Sequence, residues 1–409
     1  SGSTRSPSLS LRPEASHQAD VFIFHNSLPQ DRHEVVSVPY SSEGRAGTPT
    51  VLDASGVAVL AQLEPNDLTV CESCNKIPPV YSDVVFFRAR VPAFGLATYR
   101  FAFDPSGKDS PTTAKPAVVL NAPPAVIHNG LLNVSLDAKH GGIASITDVR
   151  TGQSKVAVRQ HFGHFIDGQG GPYCLVMQDG SGPYAAPAPF LSLSTVGPVF
   201  SQVTQTIRSG QGGLQLRLRL YEGSDFVEVI HSSGTLDGGR ELVSTFSTDL
   251  DTDGILYTDD SGAPDSRARP YNATAPVSQN YHALVQTASI VDESSSATSG
   301  VRQLSVLTRR TMGISSRAVG AMELMLLRRL VDGSDSQGPW PLNEVNGIED
   351  TLWLMAGSRS VVESARFQRS LQLEHSLTPL FLTQVGSAMP PNPVVAPMKQ
   401  PLPPNVWAD

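Results

Sequence analysis

Residues 304–344 read LSVLTRRTMGISSRAVGAMELMLLRRLVDGSDSQGPWPLNE and show the β character of the chain most clearly. Apolar residues alternate along 304–308, as in a half-buried β-strand, and the second apolar run at 322–327 is too short for a helix. This run ends in Arg328 and Arg329, beside a loop rich in Gly and Ser. Two guanidinium groups at the end of a buried strand are costly unless an anionic or hydroxyl-rich partner meets them. The segment therefore predicts paired strands whose end contacts such a partner.

The composition of the 409 residues favours an all-β protein. Charged residues make up 17%, against about a quarter in typical domains, and the chain has 34 Gly and 32 Pro. This mixture suits many short strands joined by turns. A net charge of -8 argues against nucleic acid or an anionic membrane as partner. No apolar run approaches the ~18 residues that a membrane-spanning helix needs.

Gly, Pro, Asn and Asp divide the sequence into two blocks of predicted strands. Only residues 360–373 are predicted to form a helix. The predicted fold is all-β, with a small β domain followed by a large antiparallel β super-sandwich of the galactose-mutarotase-like type. The predicted segments are a disordered tail at 1–19, a small β-sandwich at 20–105, a connector at 106–124, the super-sandwich at 125–388 and a Pro-rich C-terminal segment at 389–409.

Polar or aromatic groups stand at the ends of three predicted strands, beside Gly-bearing loops, where binding residues tend to lie. They are Tyr173 in the GGPY sequence at 170–173, Asp259 in YTDDSG at 257–262, and the Arg328–Arg329 pair. Each has a structural alternative. The arginines could form ion pairs, Tyr173 could belong to a core or rim, and Asp259 could accept backbone N–H groups in a turn.

Two pairs of residues have the spacing of sulfur or metal chemistry. Cys71 and Cys74 form a lone CxxC, which predicts a local disulfide in a loop, with a reduced pair or a zinc site as alternatives. His161 and His164 could form half of a metal site. Because no further ligand has suitable spacing, a surface pair on a β-hairpin is preferred.

Two sequons, at Asn133 and Asn272, are candidate sites of N-glycosylation. If the chain enters the secretory pathway, Asn272 is the preferred acceptor. Asn133 lies within a predicted strand and would be used only if its side chain faces solvent.

Short motifs occur in a fixed order along most of the chain. They are VFIFHNSL at 21–28, VPAFGLATY at 91–99, LYEG at 220–223 followed by REL at 240–242, YTDDSG at 257–262, NAT at 272–274 followed by NY at 280–281, and RRL at 328–330. Together they resemble the C-terminal β half of the class II alpha-mannosidases, glycoside hydrolase family 38, and the lysosomal type more than the Golgi type. One such motif would be weak, but this many in order are specific.

The resemblance implies a retaining exo-mannosidase whose catalytic barrel precedes this region and supplies the nucleophile, the acid/base and the zinc ligands. No catalytic residue and no metal ligand are therefore nominated in this chain, and zinc is expected on a separate catalytic chain. Tyr173 and one of the two arginines match family residues that reach the sugar. Since successive strand residues face opposite sides, one arginine should face the site and the other a structural carboxylate, with Arg328 the first choice for the site. Asp259 completes the set of candidate substrate contacts.

The expected function is that of the non-catalytic chain of a proteolytically processed acidic alpha-mannosidase. The sequence LPPNVW at 402–407 resembles the start of a further β domain, which also favours a processed precursor. The expected partners are the catalytic chain of the same precursor and mannose-containing N-glycans, in an oligomeric enzyme that is lysosomal, vacuolar or secreted. The alternative is an inactive carbohydrate-binding or cell-surface module. Departures from the family pattern, which bear on catalytic competence, occur at Ser261, Ala263, Arg309, Gly333 and Ser334.

Overall fold

The computed structural model describes 16 segments of the chain, and β-strands dominate them. The described residues are 21–41, 47–65, 81–103, 115–116, 118–120, 126–137, 141–149, 154–167, 175–178, 191–209, 212–234, 236–259, 261, 265–292, 300–330 and 347–382. The described residues form two compact units, the first within residues 21–65, 81–116 and 377–382 and the second within residues 118–376. The all-β, antiparallel fold class is confirmed. The tail at 1–19, the Cys71–Cys74 pair and the segment at 389–409 lie outside the described residues.

The first unit contains two sheets. The strands, numbered in chain order, are β1 Val21–His25, β2 Arg32–Tyr40, β3 Thr50–Asp53, β4 Ala58–Val59, β5 Ala61–Pro65, β6 Asp83–Val91, β7 Leu96–Ala102, β8 Lys115–Pro116 and β29 Thr378–Leu382. The sheet orders are β29-β1-β7-β3-β4 and β2-β6-β5-β8. In β6 the sequence DVVFFRARV alternates, so that Phe87 and Ala89 are buried while Arg88 and Arg90 are exposed. Aromatic rings fill this core, with Phe22 and Phe101 in edge contact at 4.6 Å.

Strand β29 differs from the predicted division, which assigned residues up to 388 to the large sandwich. It pairs antiparallel with β1, with Phe22 opposite Phe381 and Phe24 opposite Pro379. The local alternation of a strand indicates that it belongs to a sheet, but not which sheet supplies its partner. The last described strand therefore belongs to the same sheet as the first described strand.

The second unit contains three sheets that enclose one core. Its strands are β9 Val118–Leu120, β10 Val126–His128, β11 Leu132–Leu136, β12 Ile143–Asp148, β13 Ser154–Val156, β14 Val158–Asp167, β15 Met177–Gln178, β16 Leu191–Val196, β17 Phe200–Ser209, β18 Gly212–Tyr221, β19 Val227–Ser233, β20 Arg240–Thr248, β21 Ile255–Asp259, β22 Ser266–Pro270, β23 His282–Leu284, β24 Thr287–Asp292, β25 Arg302–Thr308, β26 Met312–Ser315, β27 Ala321–Arg329 and β28 Ile348–Ser358. A short 3₁₀-helix spans Val277–Asn280.

The three sheets of the second unit have four, six and ten strands. Their orders are β10-β11-β12-β13, β15-β14-β20-β27-β26-β23 and β22-β21-β24-β25-β28-β19-β18-β17-β16-β9. One apolar cluster joins residues of all three, including Val134 of the first, Phe246 of the second and Leu216 of the third. In β18 the sequence alternates from Leu214 to Leu220, and all four leucines of this strand are fully buried. This core is the hydrophobic interior of the predicted super-sandwich.

Helix α1, Arg359–Glu374, agrees with the predicted helix at 360–373. Its buried residues recur about every turn, at Val362, Arg366, Ser370 and Leu373. Much of this face is polar. The Arg366 guanidinium forms an ion pair with Glu363 at 2.9 Å, and Gln303 of β25 donates to Glu363 at 2.5 Å. The helix therefore docks on the ten-stranded sheet through hydrogen bonds as well as apolar contacts.

No helix in the described part of the chain is long and apolar enough to cross a membrane.

Candidate functional site

The double arginine ends strand β27, which pairs with β20 in the six-stranded sheet. Along β20, Leu242 and Phe246 join the core between the sheets. Their neighbours Glu241, Val243 and Thr245 point to the opposite face, here called the outer face, because side chains alternate along a strand. All three outer-face residues are buried. The outer face is therefore shielded from solvent at its centre and carries polar groups at both ends.

A β-bulge in β27 decides which arginine reaches the outer face. Leu242 is opposite Leu327, whereas Val243 is opposite Met325, so Leu326 is an extra residue without a ladder partner. Both Leu326 and Leu327 are buried in the core. After the bulge, Arg328 lies opposite Glu241 and shares its outer face.

The two arginines have different partners. The Nε of Arg328 lies 2.6 Å from Oε1 of Glu241, in a contact where the arginine side chain is 18% exposed and the glutamate 2%. Arg329 donates from Nη1 to the backbone carbonyl of Leu236 at 2.5 Å. The structural carboxylate that one arginine was expected to meet is Glu241, but it faces Arg328, the first choice for the site, so the expected division of roles between the two arginines is not seen. Which arginine contacts a sugar stays a prediction.

A second carboxylate occupies the other end of the outer face. Glu323 accepts hydrogen bonds from the Tyr281 hydroxyl at 2.5 Å and from Thr245 Oγ1 at 3.2 Å, and Arg317 approaches it at 3.5 Å. Burial and the adjacent Glu323 charge raise the pKa of Tyr281 well above its usual value. The Arg317 guanidinium also lies over the Phe165 ring, 4.9 Å from its centroid. This end of the face is a closed network in which the carboxylate is engaged by its neighbours.

The two carboxylates of the outer face are far apart. Glu323 lies opposite Thr245, which is four residues from Glu241 on the same strand, a separation of roughly 13 Å. Retaining glycosidases place their two carboxyl groups about 5 Å apart. Glu241 and Glu323 therefore cannot act together as such a pair.

Asp259 ends strand β21 and is buried. Its Oδ1 accepts from the backbone N–H of Val285 at 3.1 Å, and its Oδ2 accepts from that of Gln286 at 2.8 Å. Asp259 therefore accepts backbone N–H groups, as expected if its role is to stabilise a turn. The role of Asp259 in substrate binding stays a prediction.

Several of the other predicted positions cannot be placed. Tyr173 lies outside the described residues, as do Ala263, Gly333 and Ser334. Ser261 follows β21 with a positive φ of 60°, and Arg309 is exposed in the turn after β25.

The two histidines of strand β14 do not form a metal site. His161 and His164 are three residues apart on one strand, so they point to opposite faces. His161 is exposed and His164 is buried, and burial lowers the pKa of His164. Within the described residues, no three His, Cys, Asp or Glu side chains come together as a metal site would require. The described part of the chain thus offers no ligand set that fits zinc.

The two sequon asparagines differ in exposure. Asn272 is exposed at a turn, where its Oδ1 accepts from the Thr274 hydroxyl at 2.7 Å. Asn133 is the second residue of β11 and is half-buried, opposite Thr147 and His128. This difference in exposure favours Asn272, and glycosylation at either position stays a prediction.

Sequence reasoning did not find three residues that shape this strand end. Glu241 stands in the REL motif at 240–242, which does not indicate that it contacts Arg328. Arg310, in the turn after β25, forms a two-point ion pair with buried Asp350 of β28 and donates to the Leu326 carbonyl at 2.8 Å. Cross-strand register reveals the first contact, whereas the contacts of Arg310 depend on packing between two sheets and leave no local sequence signal.

Comparison with known proteins identifies the family. The model of the glycosyl hydrolases family 38 C-terminal domain matches residues 127–336, about half of the chain, including β20 and β27. The chain belongs to this family. The resemblance drawn from the sequence motifs is therefore confirmed.

Relatives in this family are alpha-mannosidases. The chain is 27% identical over 413 residues to the human lysosomal alpha-mannosidase. The aligned region covers 94% of this chain and 38% of the human protein. It is 27% identical over 375 residues to an alpha-mannosidase of Arabidopsis thaliana, covering 85% of this chain and 34% of the relative. The chain thus spans little more than a third of the length of these curated relatives.

A solved structure shares the fold. A family 38 glycosyl hydrolase from Enterococcus faecalis matches with a TM-score of 0.61 at 14% identity, over 93% of this chain and 49% of that one. At this identity the likeness shows the fold. It extends beyond the family 38 domain to most of the chain.

Proposed function

We propose that this chain is the non-catalytic β region of a retaining alpha-mannosidase that removes mannose from N-glycans. In this proposal a catalytic chain of the same precursor carries the zinc ion, and the assembled, oligomeric enzyme works in a lysosome, in a vacuole or outside the cell. The observation that carries the proposal is the family match across strand β27, which ends in the paired arginines. The similarity of most of the chain to lysosomal alpha-mannosidases supports the substrate class.

Arg328 is the proposed sugar-facing group of the chain. A guanidinium stays charged at any acidic working pH and offers several donors to sugar hydroxyls or to a catalytic carboxylate. The buried carboxylate of Glu241 holds its Nε, while the side chain keeps 18% of its surface exposed. Tyr173 is the proposed second contact, offering a ring edge and one hydroxyl. Neither residue performs acid/base chemistry, which is assigned to the catalytic chain.

The experiment co-produces this chain with its catalytic partner and measures hydrolysis of an aryl α-mannoside. We expect the isolated chain to be inactive. In the assembled enzyme, Arg328→Ala should lower kcat by about tenfold or more, the effect of one lost charge-assisted hydrogen bond, while assembly is unchanged. Arg329→Ala is the matched control, because its guanidinium contacts a backbone carbonyl of its own unit.

Three outcomes would contradict this assignment. Hydrolysis by the pure isolated chain would place catalytic groups within it. Loss of turnover from Arg329→Ala, with Arg328→Ala unaffected, would assign the sugar contact to the other arginine. Purification of the chain from its source without a hydrolase partner, but with affinity for mannose-terminated glycans, would favour an inactive carbohydrate-binding module.

A further inference from the structure

Arg310 joins the two largest sheets of the second unit at the bulge in β27. Its Nε and Nη2 contact the two carboxylate oxygens of Asp350, with Nη2 at 2.6 Å from Oδ2, on strand β28 of the ten-stranded sheet. The same Nη2 donates to the backbone carbonyl of Leu326, on β27 of the six-stranded sheet, at 2.8 Å. Asp350 is 2% exposed, so the guanidinium is anchored on a buried charge. The turn itself is fixed by Thr308, whose Oγ1 donates to the Arg310 carbonyl and accepts from its N–H.

Leu326 is the residue that this contact holds in place. It is the extra residue of the bulge, and the regular ladder provides it with no partner on β20. A buried backbone carbonyl that loses its ladder bond needs another donor, and Arg310 provides one. The ion pair with Asp350 fixes the position of that donor.

The bulge determines the faces of all residues that follow it. Without the bulge, Leu326 would pair with Leu242, and β27 would continue in regular register with Leu327 opposite Glu241 and Arg328 opposite Arg240. A one-residue slip moves every following side chain to the other face. Arg328 would then leave the outer face and the Glu241 carboxylate, and would stand across from a second arginine. The face that Arg328 occupies thus depends on whether the bulge persists.

We infer that Arg310 and Asp350 are positioning residues, which hold the bulge at Leu326 and thereby turn Arg328 onto the outer face against Glu241. The effect of Arg310 on the register of β27 follows from its contacts with Asp350 and with the Leu326 carbonyl. The effect on turnover rests on the proposed function, because it requires Arg328 to face the sugar. Arg310 itself contacts no substrate in this scheme and acts only through the strand.

Disulfide formation between cysteines introduced on β20 and β27 reports the register of the two strands and requires no enzyme activity. Residues directly opposite each other in an antiparallel pair lie ~4.5–5.5 Å apart, within the span of a disulfide, whereas neighbours on opposite faces cannot be joined. With Arg310 present, the pair Glu241→Cys and Arg328→Cys should oxidise, and the pair Glu241→Cys and Leu327→Cys should stay reduced. Peptide mapping by mass spectrometry distinguishes these bonds from any that involve the natural cysteines.

Adding Arg310→Ala or Asp350→Asn should shift the disulfide yield several-fold from the 241–328 pair toward the 241–327 pair. Arg309→Ala is the matched control, since Arg309 is exposed in the same turn, and it should leave the yields unchanged. Arg310→Lys keeps the charge, but a lysine cannot contact both carboxylate oxygens of Asp350 and the Leu326 carbonyl. It therefore replaces Arg310→Ala in this test if Arg310→Ala does not fold. Unchanged yields in the soluble variants would overturn the inference.

Turnover of the assembled enzyme separates this role from general stability. Arg310→Lys should lower kcat by about tenfold with little change in KM, and combining it with Arg328→Ala should lower kcat no further than Arg328→Ala alone. If the two substitutions lower kcat by the product of their separate effects, Arg310 acts independently of Arg328, and the positioning role is overturned. If Arg328→Ala leaves turnover intact, the proposed function fails, while the disulfide yields still decide whether Arg310 sets the register.

Discussion

His231 is a fully buried histidine at the centre of the large sandwich, and it predicts how the stability of the protein depends on pH. It lies on β19, where its Nε2 accepts from Gln160 Nε2 at 2.9 Å, with the Phe162 ring in edge contact at 5.7 Å. Among the described residues, its Nδ1 has no hydrogen-bond partner. Burial lowers the pKa of His231 from 6.5 to about 3. The imidazole is therefore neutral in the folded protein throughout the mildly acidic range.

The lowered pKa of His231 determines the sign and size of the pH dependence of stability. Between the folded pKa of about 3 and the unfolded pKa of 6.5, the unfolded state binds more protons, so stability falls as the pH falls through this window. At about pH 4.5 the unfolded histidine is two pH units below its pKa, and each unit corresponds to about 1.4 kcal/mol. His231 alone should therefore lower the free energy of unfolding by about 3 kcal/mol between about pH 7.5 and pH 4.5.

The variant His231→Gln removes this titration and keeps a polar side chain at the position. Urea unfolding of both proteins at about pH 7.5 and pH 4.5, followed by circular dichroism, gives the free energy of unfolding at each pH. The variant is expected to be less stable at neutral pH but to lose about 3 kcal/mol less than the parent on acidification. His128→Gln, at an exposed position on β10, is the control and should keep the parental pH dependence. A His231→Gln chain with the parental pH dependence would refute the reasoning.

Further predictions concern one carboxylate, one glycine and one sequon. Burial acts to raise the pKa of Glu363, but its hydrogen bonds to an arginine and a glutamine lower it overall. Its contribution to stability is thus present above its unfolded pKa and lost as the pH falls through the lower folded pKa, and Glu363→Gln should abolish this loss in acid unfolding curves. Gly320→Ala should destabilise by more than the ~1–2 kcal/mol of a positive φ alone, since the added Cβ would lie 2.5 Å from a backbone oxygen. Gly223→Ala, with a similar φ and open space, should show only the φ cost in thermal unfolding. Secretion from a eukaryotic host should add one glycan mass at Asn272, and retention of that mass in the variant Thr274→Ala would contradict this acceptor site.

The sequence predicts the elements of this fold better than their partners. Alternation identifies β18 from its four leucines, and helix α1 coincides with the segment 360–373 that is predicted to be helical. The pairing of β29 with β1 joins residues at opposite ends of the described chain, so no local pattern indicates it. The choice of partner is made by packing in three dimensions, after each segment already has its strand character.

The candidate site shows the same limit at the level of one residue. The sequence singles out Arg328 and Arg329 because two charges end an apolar run, and the ion pair of Arg328 with Glu241 accounts for one of these charges. Their faces could not be derived from alternation, because the bulge at Leu326 interrupts it. The sequence gives no clear signal for the bulge, since Leu324–Leu327 are four consecutive apolar residues and leave no alternation of apolar and polar residues for an extra residue to interrupt. In the structure Leu326 and Leu327 are both buried, and only their pairing with β20 reveals the extra residue.

Three buried carboxylates in the described part of the chain form contacts that limit the chemistry they can perform. Glu241 contacts Arg328, Glu323 accepts from Tyr281 and Thr245, and Asp259 accepts from two backbone N–H groups. A general acid or nucleophile must be free to exchange a proton or to attack, whereas these carboxylates hold neighbouring groups in place. On the outer face, Glu241 supports the Arg328 guanidinium, which donates hydrogen bonds and does not transfer protons at acidic pH. This arrangement supports the proposal that the chain forms one wall of a sugar pocket, with the reacting carboxylates supplied from elsewhere in the enzyme.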